Sequence, residues 1–319
     1  VIWKPSDNAI LSNHLFYEIM LEAGLPKGVL NFCPSNPSTF LVDILNREDL
    51  AAILFTGSSK VMDNITQNLG NRISFYNNYP RIVGETGGKN FHFIGPYDSF
   101  NSKVLDNIVT KTIESSYNYS GQKCSACSIV YVPENIYPQF VKKFKEKLEI
   151  YKSTNHNYGV INSKSFEKLS NLIDELKKDD EIEFIIEGNR NDNINYLIEP
   201  NLLLCKNHNH KVFNEEFFGP ILTIFPYNEN KIKETIDICI NSNNYALTGA
   251  IFSDHENFKY IATDKFKNKT GNFYVNDKST GSVVGQQPFG GSGKSGTNDK
   301  AGDINLLYRL FNQRNIKIG

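Results

Sequence analysis

Apolar residues in this chain recur by turns at helical and at strand spacing, and that alternation restricts the available folds more than any other feature. Within residues 9–23, Ile10, Leu11, Leu15, Phe16, Ile19 and Met20 repeat as a helix face, and Gly24 with Pro26 ends the run. Short β-like runs follow at 29–32, 51–55 and 82–83, with helical patterns near 38–46 and 59–69 between them. The order α-β-α-β-α-β predicts a parallel sheet, because parallel neighbours need a crossover long enough to hold a helix. Further on, the spacing predicts helices near 101–118, 134–150, 164–178 and 229–242, and strands near 128–132, 182–186, 220–225, 248–252 and 272–275. Both parts of the chain are therefore expected to be α/β. Asn-, Asp- and Ser-rich segments at 153–157, 189–195 and 207–209 read as solvated loops.

A length of 319 residues suits one large α/β unit or two packed domains. With 34 basic and 35 acidic residues and no long run of either sign, nucleic acid and membrane surfaces are not the expected partners. No apolar run approaches the roughly 20 residues that cross a bilayer. The first residues, Val1-Ile2-Trp3-Lys4-Pro5-Ser6, resemble neither a signal nor a transit peptide, and there is no initiator Met. Five cysteines, Cys33, Cys124, Cys127, Cys205 and Cys239, lack disulfide-framework spacing, which fits a reducing compartment.

Three short motifs carry candidate chemistry. Gly121-Gln122-Lys123-Cys124-Ser125-Ala126-Cys127 lies between a helical segment and a strand, where a turn can hold a thiol toward a cleft. Attack on an aldehyde requires thiolate, which nearby amides or a cation favour, although a lone cysteine is more often a buried apolar residue. Cys-x-x-Cys also invites zinc, yet no second pair follows at ligand spacing, so no metal is expected. In Gly84-Glu85-Thr86-Gly87-Gly88-Lys89-Asn90, glycines allow close backbone approach and Glu85 is a candidate general base, or simply part of a turn. Phe55-Thr56-Gly57-Ser58 ends a strand and opens a helix, a place that suits a pyrophosphate or an ordinary capped turn.

Near the end, Pro288-Phe289-Gly290-Gly291-Ser292-Gly293-Lys294-Ser295-Gly296 imitates two nucleotide motifs and fits neither. A Walker A loop would need Gly where Pro288 stands, and the dinucleotide fingerprint leaves no room for a following βαβ unit. A close-packed loop is the better reading. The six histidines form no triad or metal pair; His208 and His210 fall in an Asn-rich loop and read as solvated or structural.

Taken in order, Trp3-Lys4-Pro5-Ser6, Phe55-Thr56-Gly57-Ser58, the Glu85 and Cys124 motifs, Glu215-Glu216-Phe217-Phe218-Gly219-Pro220 and the 288–296 segment resemble the aldehyde dehydrogenase superfamily. Gly87-Gly88-Lys89-Asn90-Phe91-His92-Phe93, Asn272-Phe273-Tyr274-Val275-Asn276-Asp277-Lys278-Ser279-Thr280-Gly281 and Gly285-Gln286-Gln287-Pro288-Phe289 look like its pyrroline-5-carboxylate dehydrogenase branch. The resemblance runs through essentially the whole chain. It implies a partial Rossmann-like NAD-binding domain at 1–84, an α/β catalytic domain at 85–290, and a tail at 291–319 that returns toward the cofactor and oligomer region.

The same resemblance implies NAD-dependent oxidation of glutamate semialdehyde to glutamate in proline catabolism. Cys124 would form a thiohemiacetal and then a thioester, Glu85 would activate the hydrolytic water, and the Cys124 amide would serve the oxyanion. Lys4, Gly57 and Ser58 would hold the adenosine and pyrophosphate parts of NAD, with Glu216 at the nicotinamide ribose and Phe218 beside the ring. Ser125, Gly281 and Ser282 would bind the substrate carboxylate, with Phe289 over the aliphatic chain. A homodimer or larger homo-oligomer is expected, in the mitochondrial matrix for a eukaryotic source and otherwise in the cytoplasm. Relatives in the family carry an N-terminal portion before Trp-Lys-Pro-Ser, so the chain is expected to be N-terminally incomplete. Two rivals stay open: a non-catalytic remnant, and a dehydrogenase for another acidic aldehyde.

Overall fold

A computed structural model describes residues 1–154, 159–193 and 195–319. The chain divides into two compact units, Val1–Ile53 with Lys60–Ile82 and Leu54–Ser59 with Val83–Gly319. In chain order the first part holds β1 (Ile2–Trp3), α1 (Ile10–Glu22), β2 (Asn31–Phe32), α2 (Pro37–Leu45), β3 (Ala52–Thr56), α3 (Ser59–Asn71) and β4 (Arg81–Glu85). The division passes through β3, α3 and β4.

In the first unit, β1 and β2 pair in parallel, and Trp3, Tyr17 and His14 pack their rings on Phe32. Pro37 sits in the first turn of α2, where its missing N–H is no loss, and Asn36 caps that helix through the amides of Ser38 and Thr39. The predicted helix at 9–23 is present, but none of its residues is buried. Leu11 and Leu15 are exposed, so the helical spacing located the helix without locating a partner for its face.

The second unit continues with β5 (Asn90–Ile94), α4 (Ser102–Tyr117), β6 (Cys127–Pro133), α5 (Tyr137–Thr154), α6 (Ser163–Leu176), β7 (Ile182–Ile186), β8 (Arg190–Asn191), β9 (Leu197–Ile198) and β10 (Asn201–Cys205). After these come α7 (Lys211–Asn214), β11 (Ile221–Tyr227), α8 (Ile232–Asn241), β12 (Tyr245–Ala246), β13 (Thr248–Phe252), α9 (Glu256–Phe266), β14 (Asn272–Val275), β15 (Ser292–Gly293) and α10 (Ile304–Tyr308). Seven strands form one sheet in the order β14-β13-β5-β6-β11-β10-β7, parallel throughout except β7, which runs antiparallel to β10.

Helices cover both faces of this sheet, so successive strand residues enter different cores. Phe91 and Phe93 of β5 and Ile129 and Tyr131 of β6 join side chains of α6, α8 and α9 on one face. Ile94, Val130 and Val132 join Ile108, Ile113, Phe140 and Phe144 of α4 and α5 on the other. Every residue of β5 and of β10 is buried, polar ones included, as expected of strands covered on both faces. Helix α9 lies outside the segments whose spacing predicts a helix.

Two of the three segments expected as solvated loops are structured in part, and 207–209 is a loop. Ser153 and Thr154 belong to the last turn of α5, while positions 155–157 of that segment lie outside the described residues. Arg190 and Asn191 pair with β9, and Arg190 donates to Asp174 and to the Ser170 carbonyl, so 189–195 is in part a stapled hairpin; position 194 lies outside the described residues. His210 is structural: its Nδ1 accepts from the Val212 amide, capping α7, and its Nε2 faces Asp179 at 3.0 Å.

Candidate active site

Strands β5, β6, β11 and β13 run in parallel, so the loops that precede them gather along one edge of the sheet. Those loops carry the 84–90, 121–127 and 215–220 motifs. The site thus forms at the amino ends of the strands, on the opposite edge from the usual ligand crevice of an open α/β sheet.

The turn before β6 presents the nucleophile candidate. Tyr119 and Ser120 adopt left-handed backbone at φ 53° and 56°, and Gly121 follows at φ 68°. Two non-glycine residues in that region cost about 1–3 kcal/mol each, which marks a turn held by its surroundings. A side chain on Gly121 would lie 2.3 Å from the Gly219 carbonyl, so the turn packs directly on the 215–220 loop. Asn90, at the head of β5, ties the arrangement together: its amide nitrogen donates to the carbonyls of Cys124 (2.7 Å) and Ala126 (2.9 Å), and its oxygen accepts from the Thr248 amide (3.0 Å).

Cys124 is only partly buried, yet burial pushes its thiol up to about 11, with the carboxylates of Glu85 and Glu216 acting in the same direction. The amides of Ser125 and of Cys124 itself oppose that rise. The resting sulfur is therefore a protonated thiol under the influence of two acidic side chains. Cys127, by contrast, is fully buried, donates to the Ile129 carbonyl and has its thiol raised to about 12, which makes it a core residue.

Glu85 ends β4. Burial raises its carboxyl to about 7, Lys300 draws it down and Asp299 raises it. Its Oε2 is buried without a hydrogen-bond partner. A carboxylate that titrates near neutrality with a free oxygen is chemically suited to take a proton from water or thiol. Gly57, at the end of β3, donates its amide to the Glu85 carbonyl at 3.1 Å, and the Phe55 ring occupies the space a Gly57 side chain would need. Ser58 follows directly, before α3.

Glu216 accepts from the Gly88 amide at 2.8 Å. A Cβ on Gly87 would fall 2.0 Å from its Oε2, so the two glycines form a cradle for this carboxylate. Burial raises the Glu216 carboxyl, while the Gly88 amide and Lys89 lower it. Lys89 is buried over the Phe217 ring at 4.4 Å, and desolvation brings its ammonium down to about 7. Phe218 stands half-exposed at φ 59° and lines, with Gly88, Lys89, Gly121, Glu216 and Phe217, a cleft beside the nucleophile turn.

The 279–282 loop reaches the same place from the carboxyl end of β14. Ser279 Oγ lies 2.7 Å from Ser115 Oγ and donates to the Ser125 carbonyl at 3.3 Å, which also accepts from Thr248 Oγ1. Ser282 donates its hydroxyl to the Gln287 carbonyl at 3.0 Å, and Gly281 packs against the Tyr274 ring. Phe289 exchanges two backbone hydrogen bonds with Ala301, and the next residue, Gly290, lies against Glu85 Oε1. Cys124, Glu85, Glu216, Phe218 and Ser125 are thus assembled within the second unit, linked to Gly281 and Ser282 through Ser279. Lys4 lies in the first unit, where its ammonium donates to Asp7 and to the Pro5 carbonyl.

Residue-by-residue reading assigned no role to Asn90, His92, Ser279 or Lys300. The one available signal was polar residues within otherwise apolar runs, as in Asn90-Phe91-His92-Phe93-Ile94. His92 Nε2 accepts from the Ser279 amide at 3.3 Å, so its proton sits on Nδ1 and points at Thr112 Oγ1, 2.9 Å away. Complete burial lowers this imidazole to about 3, and it is neutral.

A model of the aldehyde dehydrogenase family matches residues 1–315. The chain is 40% identical over 325 aligned residues to the mitochondrial delta-1-pyrroline-5-carboxylate dehydrogenase of Dictyostelium discoideum, covering 99% of this chain and 57% of that protein. It is 41% identical to the enzyme of the same name from Emericella nidulans, covering 99% of this chain and 56% of the relative. Among solved structures, the Mycobacterium tuberculosis delta-pyrroline-5-carboxylate dehydrogenase bound with NAD superposes with a TM-score of 0.86 at 34% identity, over 97% of this chain and 57% of that one. The chain thus spans a little over half the length of the relatives it matches.

Proposed function

The chain belongs to the aldehyde dehydrogenase family, and on that premise we propose that it carries the catalytic machinery for NAD-dependent oxidation of L-glutamate γ-semialdehyde to glutamate. The observation that carries this reading is the coupling of a thiol, Cys124, to a carboxylate with a free oxygen that titrates near 7, Glu85, and to Glu216, which lines the cleft beside the nucleophile turn. Cys124 sulfur bonds to the aldehyde carbon and its proton leaves for Glu85; the resulting thiohemiacetal oxygen faces the Cys124 amide, whose stabilisation of an oxyanion is worth about a hundredfold to a thousandfold in rate. After oxidation to the thioester, Glu85 releases the thiol proton to solvent; it then takes a proton from water as the hydroxide adds to the acyl carbon, and the Cys124 sulfur leaves as thiolate and is reprotonated.

NAD, when bound, supplies the hydride acceptor. Glu216 suits the hydroxyls of a ribose: one of its oxygens is taken by the Gly88 amide and the other faces the Gly87 cradle. Phe218 is placed to pack on a flat ring at the cleft. Gly57 and Ser58 serve the pyrophosphate and Lys4 the adenosine ribose, which assigns 1–84 to the cofactor, 85–290 to catalysis and 291–319 to the oligomer region. Ser125, Gly281 and Ser282 receive the substrate carboxylate and Phe289 covers its chain. The names of the solved and curated relatives support NAD, this substrate and, for a eukaryotic source, the mitochondrion. A homo-oligomer is the proposed assembly.

The test is NADH formation from pyrroline-5-carboxylate by this chain and by the chain extended upstream, each beside Cys124→Ala. Turnover that vanishes without Cys124 supports the reading. Equal turnover of a neutral aldehyde of the same length would reject the carboxylate anchor, and silence in both folded chains with NAD binding retained would favour a binding role.

A further inference from the structure

The segment after Gly290 folds back along β4 and encloses the strand end that carries Glu85. Thr297 donates its amide to the Gly84 carbonyl and receives the Gly84 amide on Oγ1, both at 2.9 Å, while Thr86 donates its amide to the Ser295 carbonyl at 3.0 Å and its hydroxyl to the Lys294 carbonyl at 2.6 Å. Glu85 and Gly296 form an antiparallel bridge, and at φ 134° Gly296 holds its Cα where any side chain would lie 2.1 Å from the Gly84 carbonyl.

This wrapping brings two charged residues to the carboxylate. Lys300 is immobilised by donating to the carbonyls of Gly271 (2.6 Å) and Gly290 (2.7 Å). A Cβ on Gly290 would meet Glu85 Oε1 at 2.6 Å and the Lys300 amide nitrogen at 3.3 Å, so the carboxylate and Lys300 flank one glycine. Asp299 is held by the Thr297 hydroxyl at 2.5 Å and by Arg309 Nε at 2.9 Å, with only 11% of its side chain exposed. Glu85 Oε2 has no hydrogen-bond partner, so burial and through-space charge, rather than a donor at that oxygen, bear on whether this carboxyl is ionised.

We propose that Lys300 and Asp299 are a fixed pair of positioning residues that govern the ionisation of Glu85 from opposite directions, the cation favouring the carboxylate and the anion opposing it. The inference rests on the reading of Glu85 as the water-activating base. Burial is the largest influence on Glu85, Lys300 the next and Asp299 the third. Among the described residues Cys124 of the nucleophile turn is also coupled to Glu85, which raises its thiol. That coupling makes the sulfur a reporter of Glu85.

The experiment follows carbamidomethylation of Cys124 by iodoacetamide, by mass spectrometry of the full chain, from about pH 5 to about pH 9. In the native chain the rate profile carries an inflection near 7, where Glu85 titrates, and Glu85→Gln removes it. Lys300→Gln moves the inflection to higher pH, Asp299→Asn moves it to lower pH, and Lys300→Arg restores the native profile. Each displacement is expected to change the rate at fixed pH near the inflection by about threefold to tenfold. A role in holding the loop alone predicts that both neutral variants act in the same direction, and that result, or two unmoved inflections, overturns the proposal. Parallel assays of NADH formation separate the two readings: opposite displacements without turnover sink the enzymatic reading and leave the charge pair standing, whereas turnover with unmoved inflections does the reverse.

Discussion

At the scale of single residues, the site is expensive to keep ionised. Glu85 has an ordinary carboxyl in the unfolded chain but titrates near 7 when folded, so the native state binds its proton more tightly. Stability is therefore lost as pH rises from about 4.5 through 7, the reverse of the usual carboxylate behaviour. Glu85→Gln should stabilise the protein by about 1–2 kcal/mol above neutrality, after discounting for partial exposure, and by little near pH 4. Denaturant unfolding at both pH values checks this, and an unchanged or lower midpoint at the higher pH would refute it. His92 has the opposite sign. Its folded imidazole stays neutral down to about 3, so the unfolded chain takes up a proton first and stability falls as pH drops below about 6.5. His92→Gln should flatten the decline in melting temperature between about pH 7 and about pH 5; a parallel decline in both proteins would show that other groups control it.

At the scale of elements, the turns before the strands matter more than the strands. The 84–90 segment leaves β4 and enters β5 through two glycines that have no room for a side chain, because the Glu216 carboxylate and the Cys124 carbonyl fill the space. Gly87→Ala should displace Glu216 and weaken NAD binding by about tenfold or more, as expected for losing one charge-assisted contact, with helix and strand content unchanged. Calorimetric titration with NAD reads the first and circular dichroism the second; native affinity in a folded variant would show that Glu216 is not a ribose ligand. Strand pairing supplies the rest of the placement: β5 and β6 are adjacent, and Asn90 spans from one to the carbonyls of the turn leading into the other.

At the scale of the molecule, the seven-stranded sheet and its two apolar faces hold these loops on a stiff base. Phe93, fully buried, packs its ring against Tyr131, Tyr227, Phe258 and Phe266 at centroid distances of 5.2–6.2 Å. Phe93→Ala should cost about 3–5 kcal/mol, measured as a fall in unfolding free energy, and a loss under about 1 kcal/mol would mean the core re-packs around the gap. What the sequence alone determined is what contiguous residues can encode. The α/β class, most helices, the strands with alternating or flanked apolar runs, and the Cys124, Glu85 and Glu216 motifs are each written within a few neighbouring positions. Strands β5 and β10 were hidden because tertiary hydrogen bonding lets polar residues such as Asn90, His92 and Asn201 stand buried within them, and α1 shows that an apolar stripe does not name its partner. Only the tertiary structure decided that Asn90 holds the nucleophile turn, that neutral His92 supports the Ser279 loop, and that Lys300 and Asp299 stand beside Glu85. The reason is physical: hydrogen bonding, desolvation and charge interaction depend on separation in space, and chain folding brings together groups whose positions in the sequence carry no trace of that proximity.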